Sequence, residues 1–158
     1  MNNGSTDAPI TYRGVVYPWQ CDHMGHMNVM WYTGKFDEAT WNLFASIGIT
    51  PTYIRESNNG VAGVQQNIAY KKELAAGDLI FIRSTILEIR PKVVRFLHEM
   101  INDEKKEVAA TSELTAVHLS LVTRKTCPFP TETLERAQAR LANKSAQSAF
   151  VEQGHTNP

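Results

Sequence analysis

The sequence predicts a single α+β domain in which one antiparallel sheet wraps one long central helix. Three observations predict it. An apolar stripe with helical spacing runs from about Val29 to Ile47. Runs rich in β-branched and apolar residues follow between Val61 and Thr123, joined by short polar turns. The stripe must be buried, and the only large apolar partner is the sheet those runs form.

The chain has 158 residues, 42% hydrophobic and 20% charged, which fits one globular domain. Its 16 basic and 16 acidic residues cancel to a formal charge of +0. A dedicated nucleic-acid binder would carry a basic excess, so nucleic acid is not an expected partner. No apolar run approaches the roughly 18–20 residues that span a bilayer, so no membrane is expected either. The first nine residues lack the charged and apolar regions of a signal peptide. The two cysteines, Cys21 and Cys127, form no disulfide framework. Together these features make the cytoplasm the expected compartment.

Residues 1–9 are small and polar and read as a disordered tail. The domain is expected over 10–142, and 143–158 reads as a polar C-terminal tail. Tyr12 to Tyr17 is rich in β-branched and aromatic residues, and Pro18 stops it, so it reads as a first strand. A loop follows over residues 18–27. Asn28 suits a helix N-cap, because its side-chain oxygen can accept from a free amide of the first turn. Val29, Tyr32, Phe36, Ala39, Leu43 and Ile47 then recur at steps of three and four and share one face. Asp37 and Glu38 fall off it. Gly48 supplies a C-terminal stop and Pro51 blocks extension. Residues 50–60 read as a polar loop. Strands are expected at Val61 to Leu74, Leu79 to Arg90, Lys92 to Asn102 and Glu107 to Thr123. Their short turns imply antiparallel neighbours. Pro128 and Pro130 lead into a second helix, about Thr131 to Leu141.

The densest polar cluster is Cys21-Asp22-His23-Met24-Gly25-His26-Met27-Asn28, immediately before the long helix. Free amides and the helix dipole there favour an anion or a developing oxyanion. Asp22 beside such a site stays ionised and can act as general base on water or as nucleophile. It can also simply cap loop and helix, together with Asn28. His23 and His26 have a His-x-x-His spacing, but no second cluster completes a metal shell, so no metal is expected. Cys21 reads more readily as a small packed residue than as a nucleophile. Lys71, Lys72, Arg90, Lys92, Arg95, Arg124 and Lys125 lie at strand ends and turns, where they are either solvated or able to meet phosphates. Trp31 and Trp41 lie off the Tyr32–Phe36 line and suit a second surface, either a dimer contact or an acyl pocket.

The segment Val16 to Tyr32, with Asp22 and Gly25-His26-Met27-Asn28, followed by Phe36-Asp37-Glu38-Ala39, resembles the signature of 4-hydroxybenzoyl-CoA thioesterase-like hotdog proteins. Ile68 to Leu74 with Gly77-Asp78 resembles that family's second strand and its Gly-Asp turn. Ile89 to Phe96 resembles its basic-to-apolar strand entry. The similarity covers roughly residues 12–126. The sequence departs from the family in having Val29 where many members carry a second Asn.

The resemblance implies a single hotdog domain, a homodimer or homotetramer with sites at the dimer interface, and hydrolysis of an acyl-CoA thioester. It places Asp22 at the catalytic carboxylate and the Val29 amide where the thioester carbonyl is polarised. His26 and Asn28 match residues that shape or assist the site. Trp31 and Tyr32 are expected to bind the substrate; Gln65, Gln66 and Asn67 lie where relatives often contribute to the partner subunit's site, or else they pair in a sheet face; and Arg90, Lys92 and Arg95 are expected to meet the CoA phosphates. No cofactor is implied, because coenzyme A is part of the substrate. Gly25-His26-Met27-Asn28-Val29 also resembles thioesterases acting on betainyl-CoA. A cationic acyl group calls for an aromatic cage or an acid, and Trp19, Trp31 and Tyr32 could supply rings. The alternatives on the same scaffold are a non-catalytic acyl-CoA-binding protein and an acyl-thioester dehydratase.

Overall fold

The computed structural model describes residues 7–141. In chain order the elements are β1 (Ile10–Val15), a 3-10 turn (Pro18–Gln20), α1 (Val29–Ser46), α2 (Pro51–Ser57), β2 (Asn59–Tyr70), β3 (Leu79–Ile89), β4 (Val93–Asn102) and β5 (Glu107–Ser120). A last helix, α3, covers 131–141. The five strands form one sheet in the order β1-β3-β4-β5-β2, and every neighbouring pair is antiparallel. The tails expected at 1–9 and 143–158 lie, apart from residues 7–9, outside the described residues. Among the described residues no helix is long and apolar enough to cross a membrane.

The long helix buries its stripe in the concave face of the sheet. Its first half places Tyr32, Phe36 and Ala39 against Val16, Leu74, Ile80, Ile82 and Met100. Its second half places Leu43, Phe44 and Ile47 against Ile86, Val94, Phe96, Ala116 and Phe129. Val29 departs from the expected stripe, because its side chain is 54% exposed. It is the first helical residue, and that turn faces a cleft instead of the sheet.

Two polar devices register the helices on the sheet. The Thr40 hydroxyl donates to the Phe36 carbonyl at 2.9 Å, so its oxygen accepts from His98 Nε2–H, also at 2.9 Å. That tautomer leaves Nδ1 to accept from the Ser84 hydroxyl at 2.6 Å. Ser84 in turn accepts from Thr11 at 2.6 Å. Every member is buried, and the chain joins β1, β3, β4 and α1. Similarly, His118 Nδ1–H donates to the Cys127 carbonyl at 2.9 Å and Nε2 accepts from the Tyr53 hydroxyl at 2.8 Å. This pins α2 to the end of β5.

One pairing and several boundaries differ from the sequence reading. The turn after β2 does not pair it with β3, because β2 crosses to the far edge beside β5 and β3 pairs with β1 and β4. β5 ends at Ser120, before the expected Thr123. The expected loop at 50–60 contains α2, because Thr50 caps it by accepting from the Tyr53 amide at 3.1 Å and Pro51 occupies the first helical position. Proline is tolerated there because that amide has no helical partner to lose. The strand expected to run to Leu74 stops at Tyr70, where Lys71 and Lys72 both donate their amides to the Ala109 carbonyl. Leu74 is then free to turn fully into the core. The first strand lies two residues earlier than expected, at Ile10–Val15.

Candidate active site

Backbone bonds close the Cys21–Asn28 loop into a tight structure. The Asp22 amide donates to the His26 carbonyl at 3.0 Å and the Gly25 amide returns to the Asp22 carbonyl at 3.0 Å. Gly25 has φ +84°, a conformation that glycine adopts without penalty. The Met27 amide donates to the Leu74 carbonyl at 2.7 Å, and that bond fastens the loop to the segment beyond β2.

Asn28 holds helix and carboxylate at once. Its side-chain oxygen accepts from the Met30 amide at 3.0 Å, and its Nδ2 donates to Asp22 Oδ2 at 3.0 Å. Asp22 Oδ1 accepts from the Met24 amide at 2.8 Å. The Asn28 donor, then the Met24 amide, hold the Asp22 carboxyl below its ordinary value. Partial desolvation opposes them, and His23 and His26 add smaller lowering effects. Asp22 is therefore ionised at neutral pH, with an oriented carboxylate. The Val29 amide, first in α1, donates to no acceptor among the described residues. An α-helix leaves its first four amides without intrahelical partners.

Asp22 and Val29 line one cleft of about 370 Å³. Met24, His26, Met27 and Tyr32 complete the wall on the loop and helix side, and Tyr70, Lys71, Lys72 and Glu73 form the other wall. His26 Nε2 meets Glu73 Oε2 at 3.0 Å across it. The Tyr32 and Tyr70 rings stand at 87° with centroids 5.2 Å apart. The Tyr32 hydroxyl donates to the Lys72 carbonyl at 3.4 Å.

Of the residues singled out in the sequence, Asp22, His26, Asn28, Val29 and Tyr32 come together here. Trp31 packs against the core cluster instead of lining the cleft. Gln65, Gln66 and Asn67 are exposed along β2, and Gln66 donates to Ser112 at 3.0 Å. Arg90 and Lys92 lie in the β3–β4 turn, near the Asn59 end of the sheet and opposite the Tyr70 end. Arg90 is paired with Glu88 at 3.1 Å, and Arg95 is held by Glu88 and Glu113. None of these three lines the cleft that holds Asp22. Cys21 directs its thiol to the Tyr17 carbonyl.

Sequence reasoning missed Tyr70 and Glu73 as site residues. Their place depends on the Met27–Leu74 bond, which brings two segments together that are far apart in the chain. Replacing Asn28 by alanine is expected to return the Asp22 carboxyl toward its ordinary value. It should also cost about 1 kcal/mol of stability through the lost cap. Carbon-13 titration of Asp22 and urea unfolding measure the two effects separately.

Comparisons with known proteins bear on this geometry. The profile of the thioesterase-like superfamily matches residues 16–137. The chain is 30% identical over 140 residues to the L-carnitine dehydrogenase/betainyl-CoA thioesterase of Ruegeria pomeroyi, covering 89% of this chain. It spans only 28% of that relative's length. It is 26% identical over 129 residues to the betainyl-CoA thioesterase of Pseudomonas aeruginosa, covering 82% of this chain and 81% of that one. A Staphylococcus aureus protein solved in complex with CoA superposes with a TM-score of 0.75 at 18% identity, covering 86% of this chain and 84% of that one. That last likeness shows a shared fold.

Proposed function

Because the chain belongs to the thioesterase-like superfamily, we propose that it hydrolyses an acyl-CoA thioester to the free acid and CoA at the cleft holding Asp22. One observation carries the reading: an ionised, oriented carboxylate and an unpartnered helix-terminal amide line the same cleft. Thioester hydrolysis needs those two parts.

In this scheme the thioester carbonyl accepts from the Val29 amide. Asp22 takes a proton from water, and the hydroxide adds to the carbonyl carbon. The oxyanion that forms is held at the helix N-terminus, where a hydrogen-bond donor can be worth about 10²–10³ in rate. The C–S bond then breaks, and CoA leaves as a thiolate that takes up the proton. Direct attack by Asp22 gives an anhydride that water then opens, with the same products. Asn28 orients the carboxylate in either route, and His26, held by Glu73, shapes the cleft. Neither route needs a cofactor.

The site is proposed to work in a homodimer, which can pair further into a tetramer. β2 is an edge strand of 12 residues, and Gly63 to Asn67 are exposed along it. An unblocked edge is a template for pairing with another strand. Two-fold antiparallel pairing there carries the partner's Asn59 end toward this chain's Tyr70 end. Gln65, Gln66 and Asn67 then lie at the interface, and the partner's Arg90 and Lys92 approach the side where CoA phosphates need cations. The double variant Gln65→Lys, Asn67→Lys places charge on that edge. It is expected to shift the chain to monomer in multi-angle light scattering and to lower activity in parallel. A monomer with full activity would contradict the shared site. The two unpaired cysteines support the cytoplasm as the compartment.

Thiol release from a panel of acyl-CoAs tests the reaction. The panel spans short, long, aromatic and quaternary-ammonium acyl groups, and the curated relatives' names place betainyl-CoA on it. Turnover of at least one class is expected. Tight binding of acyl-CoA without thiol release would favour the non-catalytic alternative.

A further inference from the structure

We propose that the exposed stack of Trp19 on Tyr17 is the platform on which the adenine ring of coenzyme A is seated. The proposal rests on the hydrolase reading above and deepens it by placing the end of the substrate farthest from the reacting bond.

The platform is rigid and open. The two rings are parallel within 5°, with centroids 4.4 Å apart. Trp19 is nonetheless 68% exposed, so Tyr17 covers one face of its indole and the other face is left to solvent. Tyr17 caps the 3-10 turn and Trp19 lies within it. Gln20 closes that turn with a buried side chain: its Oε1 accepts from the Tyr17 amide at 3.1 Å, and its own amide donates to the Tyr17 carbonyl at 2.9 Å. Pro18 fixes φ at the first position of the turn. The rings are therefore held in place before a ligand arrives, and little ordering is left to oppose binding.

The turn is tied directly to the reacting centre. The Gln20 carbonyl accepts from the Asn28 amide at 2.9 Å, one residue before Val29. Cys21, which follows the turn, bridges to Met27 at the other end of the Asp22 loop. Platform and thioester site are thus parts of one bonded unit. Met24, exposed on that loop, lines the cleft. A CoA with its thioester carbonyl at the Val29 amide reaches the platform by bending back over the loop. Lys71 and Lys72 stand exposed on the facing wall of the cleft and suit the diphosphate of that bent form. Stacking on a ring face needs no donor or acceptor, and it leaves the polar edge of a base in water. Adenine is the flat ring that every acyl-CoA carries, whatever its acyl group.

The test measures CoA binding by calorimetry. It also measures kcat/KM for one acyl group presented as its CoA thioester and as its pantetheine thioester, which lacks the adenosine and diphosphate. Trp19→Ala is expected to raise the Kd for CoA at least about fivefold, the low end of what one stacked base contributes. It should lower the ratio of kcat/KM for acyl-CoA over acyl-pantetheine by a similar factor. Trp19→Phe, which keeps a ring, should retain most of both. Unchanged CoA affinity in Trp19→Ala overturns the proposal, and so does an equal loss for the two thioesters. No measurable binding of CoA by the folded wild type overturns it as well. Hydrolysis of acyl-CoA with a ratio that Trp19→Ala does not move overturns the platform and leaves the hydrolase reading standing. Trp19-dependent binding of CoA without hydrolysis of any acyl-CoA does the reverse.

Discussion

Replacing Asp22 by asparagine is expected to lower kcat/KM for thioester hydrolysis by about 10²–10⁴-fold, the range carried by a positioned general base. Size is kept and the charge is lost. The Met24 amide can still donate to the asparagine oxygen, so the loop keeps one of its two anchors. The other anchor fails, because an amide nitrogen at the Oδ2 position would face Asn28 Nδ2. Affinity for a non-hydrolysable thioether analogue of acyl-CoA should change little, since the substituted group acts on the reacting centre. Steady-state kinetics with calorimetric binding of the analogue separates the two effects. Equal losses in affinity and rate would make Asp22 a binding residue instead.

The second large effect is on stability in acid, and it arises at His98. Burial pushes this imidazole down to about 3, against an unfolded value near 6.5. Between those values the unfolded chain binds a proton that the folded chain refuses. Stability therefore falls as pH drops through that window, by about 1.4 kcal/mol per unit for one site. From pH 6.5 to 4.5 the loss is on the order of 2–3 kcal/mol, a large share of the roughly 5–15 kcal/mol of a typical domain. The directed chain through Ser84 and Thr40 has no place for a second ring proton, since Nδ1 accepts. Urea midpoints of wild type and His98→Gln across this range measure the effect. The glutamine variant is less stable at pH 7 and loses less on acidification. Parallel pH profiles for the two would contradict the assignment to His98. Below about pH 4 the carboxyls of Asp22 and Asp103, both held low in the folded state, add to the loss.

Much of the fold was legible because it rests on local periodicity. The helical spacing of Tyr32, Phe36, Ala39, Leu43 and Ile47 and the short turns between strands are properties of neighbouring residues. The short helix α2 was hidden by Pro51, which reads as a stop for one helix and acts as the first residue of the next. Val29 fits the stripe by spacing, yet its side chain is exposed at the cleft instead of packed against the sheet. The short turns placed β3 beside β4 and β4 beside β5, but the place of β2 was not legible, since it leaves its sequence neighbour β3 to pair with β5 at the far edge.

The site divides in the same way. Asp22, His26, Asn28 and Val29 share one short segment, so their meeting followed from sequence. Tyr70 and Glu73 join them through a single long-range bond, from Met27 to Leu74. The basic residues Arg90 and Lys92 were legible as a cluster, but their distance from Asp22 within one chain appears only when the register of β2 against β5 is known.

Thiol release by the wild-type chain and by Asp22→Asn, run side by side on the best substrate of the acyl-CoA panel, tests the account most directly. Both proteins are first shown to be folded and of the same oligomeric state. The account predicts many turnovers by the wild type, with free acid and CoA formed one to one, and a rate at least about 100-fold lower for the variant. Equal rates for the two proteins would contradict it and move the chemistry away from Asp22.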